Sequence, residues 1–226
     1  MPNQSASTYP KAVLFDLLTA LLDSWTLWNR AAGSEAAGRT WRAEYLRLTY
    51  NRGAYVPYEE LVRQAALQTG LDESAARTLE AQWLQLAPWS GARDSLRKLA
   101  PHCKLGIVTN CSDRLGRQAA DLFDIDWDVI VTAENAGFYK PDPRPYQRAL
   151  DRLNMNADDA AFVAGSSYDM FGTAKLGLRT YWHNRVGLDL VDGAQPPEIE
   201  APTFDALLPW LRQFGSSKAL KEDSAQ

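Results

Sequence analysis

Ala12-Val13-Leu14-Phe15-Asp16 decides the fold, because four apolar residues in a row stop at a carboxylate. An apolar run this short, with no polar alternation, reads as a strand buried on both faces, as in a parallel sheet. Similar runs follow: Leu105-Gly106-Ile107-Val108 ending at Thr109, Val129-Ile130-Val131, Ala160-Ala161-Phe162-Val163 and Thr180-Tyr181-Trp182. Helical signals lie between them. Ser112-Asp113 predicts a capped helix through about Leu122. Asp142-Pro143 sets a capping carboxylate before a Pro at the first helical position, predicting a helix through about Leu153. Strand and helix alternate, so the expected fold class is α/β, a doubly wound Rossmann-like parallel sheet.

The stretch from about Asp23 to Ala87 breaks this rhythm. It carries Arg and Glu at helical intervals, many Ala and Leu, and few Val or Ile. It predicts three to five helices with no strand, an all-helical cap inserted after the first strand. Such a cap would sit over the C-terminal edge of the sheet, where α/β folds bind ligands. The expected organisation is a core over residues 1–22 and 88–215, a cap over 23–87, and a frayed polar tail over 216–226.

Composition excludes several classes. The 226 residues are 46% hydrophobic and 23% charged, with a net charge of −4, which leaves no basic footprint for nucleic acid or a membrane surface. No run of 18 apolar residues exists, and Met1 to Pro10 lacks the pattern of a secretory signal. Cys103 and Cys111 are too few for a disulfide framework, so a cytoplasmic location is the expectation.

The polar residues that end the strands carry the chemistry. Asp16 ends the first, Thr109 and Asn110 end the second, Ser166 and Asp169 follow the fourth, and Lys140 precedes the Asp142 cap. An Asp, a Thr, a Lys and another Asp in this order on successive strand ends point to one shared site. His102 and His183 fit no Ser-His-Asp pattern and are expected to be structural.

Phe15 through Asp23 resembles the first motif of the haloacid dehalogenase superfamily, in which an Asp closes the first strand. Ile107-Val108-Thr109-Asn110 resembles the second motif, Lys140-Pro141-Asp142 the third, and Phe162 through Asp169 the fourth. Tyr146, six positions after Lys140, the Trp182-His183-Asn184-Arg185 segment and the Trp41-Arg42 pair are similar to the L-2-haloacid dehalogenase branch. The resemblance implies a hydrolase with Asp16 as nucleophile, Lys140 keeping it ionised, and Asp169 orienting or deprotonating water. Arg42 would hold the substrate carboxylate, Thr109 and Asn110 would donate to a carboxylate, and backbone N–H groups after Asp16 would stabilise an oxyanion. Ser166, Tyr168, Leu18, Trp25 and Tyr146 would shape the pocket. Trp28, Trp41, Tyr45, Tyr55 and Tyr58 are further aromatic candidates, either for it or for the cap's own core.

Departures from the motifs select the reaction. Phosphatases of the superfamily carry an Asp two positions after the nucleophile, where this chain has Leu18, and an earlier acidic residue in the fourth motif, where it has Ala164. The expectation is therefore no metal and no cofactor. The dehalogenases have Tyr-Gly-Thr at Leu18-Thr19-Ala20, and Ser and Asn at Ala164 and Ser166. Two leaving groups need no acid: a halide, and the protonated amine of a strained ring such as azetidine-2-carboxylate. The expected partner is a small-molecule carboxylate substrate, with a homodimer as assembly. The alternatives are a metal-dependent phosphatase and a catalytically silent member that binds a ligand.

Overall fold

The computed structural model describes residues 8–50 and 52–214, so the tail predicted at the C-terminus lies outside it. Among these residues six strands form one wholly parallel sheet. The strands are β1 (Ala12–Phe15), β2 (Lys104–Thr109), β3 (Val129–Thr132), β4 (Ala160–Ala164), β5 (Arg179–His183) and β6 (Ile199–Ala201). Their order is β3-β2-β1-β4-β5-β6, which makes the doubly wound Rossmann-like fold. β6 has no apolar run to announce it. It is a three-residue edge strand with a polar centre at Glu200, and pairing with β5 holds it.

β1 shows why an unbroken apolar run is needed. Val13 and Phe15 face one apolar cluster, with Leu96 and Leu99 of α5 (Ala92–Leu99), Leu115 of α6 (Asp113–Ala120) and, near the C-terminus, Trp210. Ala12 and Leu14 face the other, with Tyr146, Leu150 and Leu153 of α8 (Pro143–Leu153) and Met170 of α9 (Asp169–Leu176). All four β1 residues are fully buried. The short α7 (Ala133–Ala136) and α10 (Leu207–Leu211) complete the layers.

Between β1 and α5 run α1 (Ser24–Ala31), α2 (Glu35–Thr49), α3 (Tyr58–Gln68) and α4 (Glu73–Ala81). The chain leaves and re-enters beside itself: Asp23 N donates to Ala87 O at 2.8 Å and Trp89 N to Leu21 O at 2.9 Å. An aromatic series packs the helices, with ring centroids 4.5 Å apart for Trp28–Trp41 and 5.5 Å for both Trp28–Tyr45 and Tyr45–Tyr58. Tyr58 then meets Trp83 at 6.1 Å. These rings belong to the same apolar cluster as Val13 and Phe15, so the insertion and one face of the sheet share a core. No described helix is long and apolar enough to cross a membrane.

Candidate active site

The strand order switches direction between β1 and β4, and ligands of doubly wound sheets bind outside the carboxyl ends at that point. Asp16 leaves β1 there and begins one wide turn of π-helix, Leu17–Leu21. Its Oδ2 accepts from Thr19 N at 2.8 Å, Thr19 Oγ1 at 2.6 Å and Ala20 N at 3.1 Å. The turn is held from behind as well. Trp89 Nε1 donates to Thr19 O at 2.9 Å, and His183 Nδ1 lies 2.8 Å from Ala20 O. Gly165, just past β4, passes so close that a Cβ would come within 2.2 Å of Ala20 N and Thr19 Oγ1. Glycine is needed here for close approach.

Lys140 Nζ bridges two carboxylates, 2.9 Å from Asp16 Oδ1 and 3.0 Å from Asp169 Oδ1. The three residues are 6%, 6% and 3% exposed for Asp16, Lys140 and Asp169. Burial alone would lift Asp16, but the Lys140 ammonium and the Thr19 hydrogen bonds outweigh it and hold the carboxyl below its ordinary range. Burial likewise opposes the charge of Lys140, and the two carboxylates overcome it, so the ammonium is held more firmly than usual. For Asp169 burial wins over the attraction of Lys140, with Asp16 adding repulsion, and its pKa rises. Two neighbouring carboxylates pushed apart in this way suit different tasks.

Tyr146, expected to shape the pocket, stands behind it. It is fully buried, does not line the cavity, and donates its hydroxyl to Asp169 Oδ1 at 2.6 Å. Thr109 also stays out of the cavity, because its side chain turns into the core beside Cys111 and Gly116. Asn110 reaches the cavity wall, yet its amide is spent on the Lys140 backbone: Nδ2 donates to Lys140 O at 2.9 Å, and Lys140 N donates to Oδ1 at 2.7 Å. Asn110 therefore positions the lysine loop.

Above Asp16 lies a cavity of about 370 Å³ between the sheet edge and the helical insertion. Leu18, Trp25, Arg42, Ser166, Tyr168 and Asp169 all line it. Arg42 is 9% exposed, gives one N–H to Ser24 Oγ at 2.9 Å and stacks 4.2 Å from the Trp25 ring centre. It has no carboxylate partner among the described residues, although burial pulls its pKa down. A guanidinium stays charged in proteins, so Arg42 brings to the cavity a positive charge with no carboxylate counter-ion among the described residues. Of the aromatic candidates, Trp28, Tyr45 and Tyr58 show an edge to the cavity, whereas Trp41 and Tyr55 do not. The motifs did not single out Ser24, Tyr50, Leu188 or Val191 as lining or supporting residues, because nothing local distinguishes them from ordinary helix and loop residues.

A Mg²⁺ of the kind held by the superfamily's phosphatases does not fit these residues. Among the described residues no group of three His, Cys, Asp or Glu side chains could hold a metal ion. Lys140 Nζ stands between the two carboxylates that a cation would need, and Leu18 and Ala164 bring no oxygen ligand from their side chains.

The family model described as haloacid dehalogenase-like hydrolase matches residues 13–183. The chain is 29% identical to an (S)-2-haloacid dehalogenase of Pseudomonas sp. (strain YL), over 94% of this chain and 99% of that protein. It is 28% identical to (S)-2-haloacid dehalogenase H-109 of Pseudomonas putida, over 89% and 97% of the two chains. A crystal structure of a dehalogenase superposes with a TM-score of 0.78 at 27% identity, covering 90% of this chain and 97% of that one.

Proposed function

The chain belongs to the haloacid dehalogenase-like hydrolase family, and we propose that within it the protein hydrolyses (S)-2-haloacids through a covalent ester on Asp16. The observation that carries this is the buried Asp16–Lys140–Asp169 cluster on the floor of a cavity that also contains the unpaired cation Arg42. The relatives named as (S)-2-haloacid dehalogenases along nearly the whole chain support the halide as leaving group.

Each step has a residue. Arg42 receives the substrate carboxylate. Asp16 Oδ2 has three donors, whereas Oδ1 has the single ammonium of Lys140, so Oδ1 keeps a lone pair for attack on C2. The new bond joins Oδ1 to C2 as the carbon–halogen bond breaks, and the halide leaves with the bonding pair. No acid is needed, in keeping with Leu18. A water held by Asp169 Oδ2 then attacks the ester carbon and gives its proton to Asp169. Charge develops on Asp16 Oδ2, where Thr19 N, Thr19 Oγ1 and Ala20 N already point, a preorganised oxyanion hole. Collapse breaks the bond between the ester carbon and Oδ1, and Asp169 returns its proton to that departing oxygen. A 2-hydroxyacid leaves with inverted configuration at C2, while the proton left on the restored Asp16 carboxyl passes to solvent.

Single-turnover hydrolysis in labelled water tests this. The label is expected first in Asp16, read by peptide mass spectrometry, and Asp16→Asn is expected to abolish halide release while circular dichroism stays unchanged. Label in the hydroxyacid within one turnover would exclude the ester. Parallel assays of amine and phosphate release, with and without chelator, separate the reading from ring opening and from metal-dependent phosphatase activity.

A further inference from the structure

The cavity is larger than a short haloacid requires. Each heavy atom of a ligand fills at most the roughly 30 Å³ share of a liquid water, so the six heavy atoms of 2-chloropropionate take at most about 180 Å³. The cavity offers about 370 Å³, within the range that holds much larger ligands.

Part of the cavity wall carries no charge. Leu46 and Tyr50 on and after α2, Tyr168 at the start of α9, and Leu188 and Val191 after β5 are half-buried and line it. Tyr50 meets Tyr168 edge-on at 5.3 Å and Phe171 at 6.0 Å, which closes the wall between insertion and sheet. Charge argues against a second anionic group on the ligand. Of the lining cations, Lys140 already serves two carboxylates and Arg39 is bonded to Glu35 at 2.9 Å. Asp189, exposed at the rim, would repel a second carboxylate.

We propose that the substrate carries an uncharged apolar substituent beyond C2, an alkyl chain of four or more carbons or an aryl ring, seated against Leu46, Tyr50, Tyr168, Leu188 and Val191. This rests on the haloacid reading and specifies its substrate class. Apolar burial against half-exposed walls gains less than full burial, so each added methylene is expected to raise kcat/KM about twofold, against roughly fourfold in a closed core.

The test is halide release from (S)-2-chloropropionate, 2-chlorobutyrate, 2-chlorohexanoate, 2-chlorooctanoate and 2-chloro-3-phenylpropionate. The expected result is a rising series, with the octanoate and phenyl acids at least tenfold above the propionate. Leu46→Asp and Val191→Asp are each expected to bring the octanoate-to-propionate ratio close to one. A flat or falling series with the unaltered protein would overturn the apolar subsite while leaving the haloacid reading in place. So would a ratio that neither folded variant changes. No halide from any acid would instead overturn the haloacid reading itself.

Discussion

At the scale of single residues, the site is governed by how three buried groups divide two negative charges and one positive charge. Lys140 satisfies Asp16 and half-satisfies Asp169, and Tyr146 supplies Asp169 with its second donor. Burial raises the Asp169 pKa, while the Tyr146 hydroxyl opposes the rise. In the proposed reaction Asp169 must be ionised to take a proton from water. Turnover should therefore fall as pH drops through an Asp169 pKa above the ordinary value, while Asp16, held low, stays charged and still forms the ester. Tyr146→Phe removes a donor worth about 1.5 kcal/mol to a charged acceptor, so the acid limb of the pH–rate profile should move up by about one pH unit. A limb that stays in place would show that Asp169 is not the titrating base. Asp16, Lys140 and Asp169 were legible because each marks a strand end or a short motif. The work of Tyr146 and Asn110 was not, since their partners lie 23 and 30 positions away in the chain.

At the scale of elements, the five-residue turn Leu17–Leu21 is what would decide, in the proposed reaction, whether the ester is hydrolysed. It points three donors at one oxygen of Asp16 and is pinned by Trp89, His183 and the bare backbone of Gly165. Gly165→Ala would force the turn away, because its Cβ has nowhere to go. Weakening such a donor set costs on the order of 100-fold in rate. The loss should fall on the second half of the reaction, so intact-mass spectrometry should find the Asp16 ester accumulating during turnover. Equal slowing of ester formation and ester hydrolysis would reduce the turn to a scaffold. The apolar runs predict five of the six strands and the helices after Ser112 and Asp142, since burial on both faces and capping leave local marks. A π-turn has no comparable signature. His183, expected to be structural, does act on backbone, but on the backbone of the turn that holds Asp16.

At the scale of the whole molecule, contacts between the helical insertion and the sheet layers are of two kinds. Arg114 of α6 is bonded to Glu59 at 3.0 Å and to Glu80, all at the surface, and Ser112 Oγ donates to Glu59 at 2.8 Å. Trp83 Nε1 donates to Leu115 O at 2.9 Å, and Tyr45 OH to Asn110 O at 3.1 Å, both from buried side chains. Exposed ion pairs contribute little. Arg114→Ala should therefore lower unfolding stability by less than about 1 kcal/mol. Trp83→Ala should cost about 3–5 kcal/mol, as expected for loss of a buried aromatic. Urea unfolding of both variants checks the contrast, and equal losses would contradict it.

The aromatic series running from Trp28 to Trp83 ends in the same apolar body as Val13 and Phe15. The helical part consequently cannot be traded as a module. Transplanting residues 23–87 onto a relative's sheet would strand Trp83 and Tyr58 against foreign side chains. A working chimera would have to carry Leu115, which accepts from Trp83 and shares its apolar cluster, along with the graft.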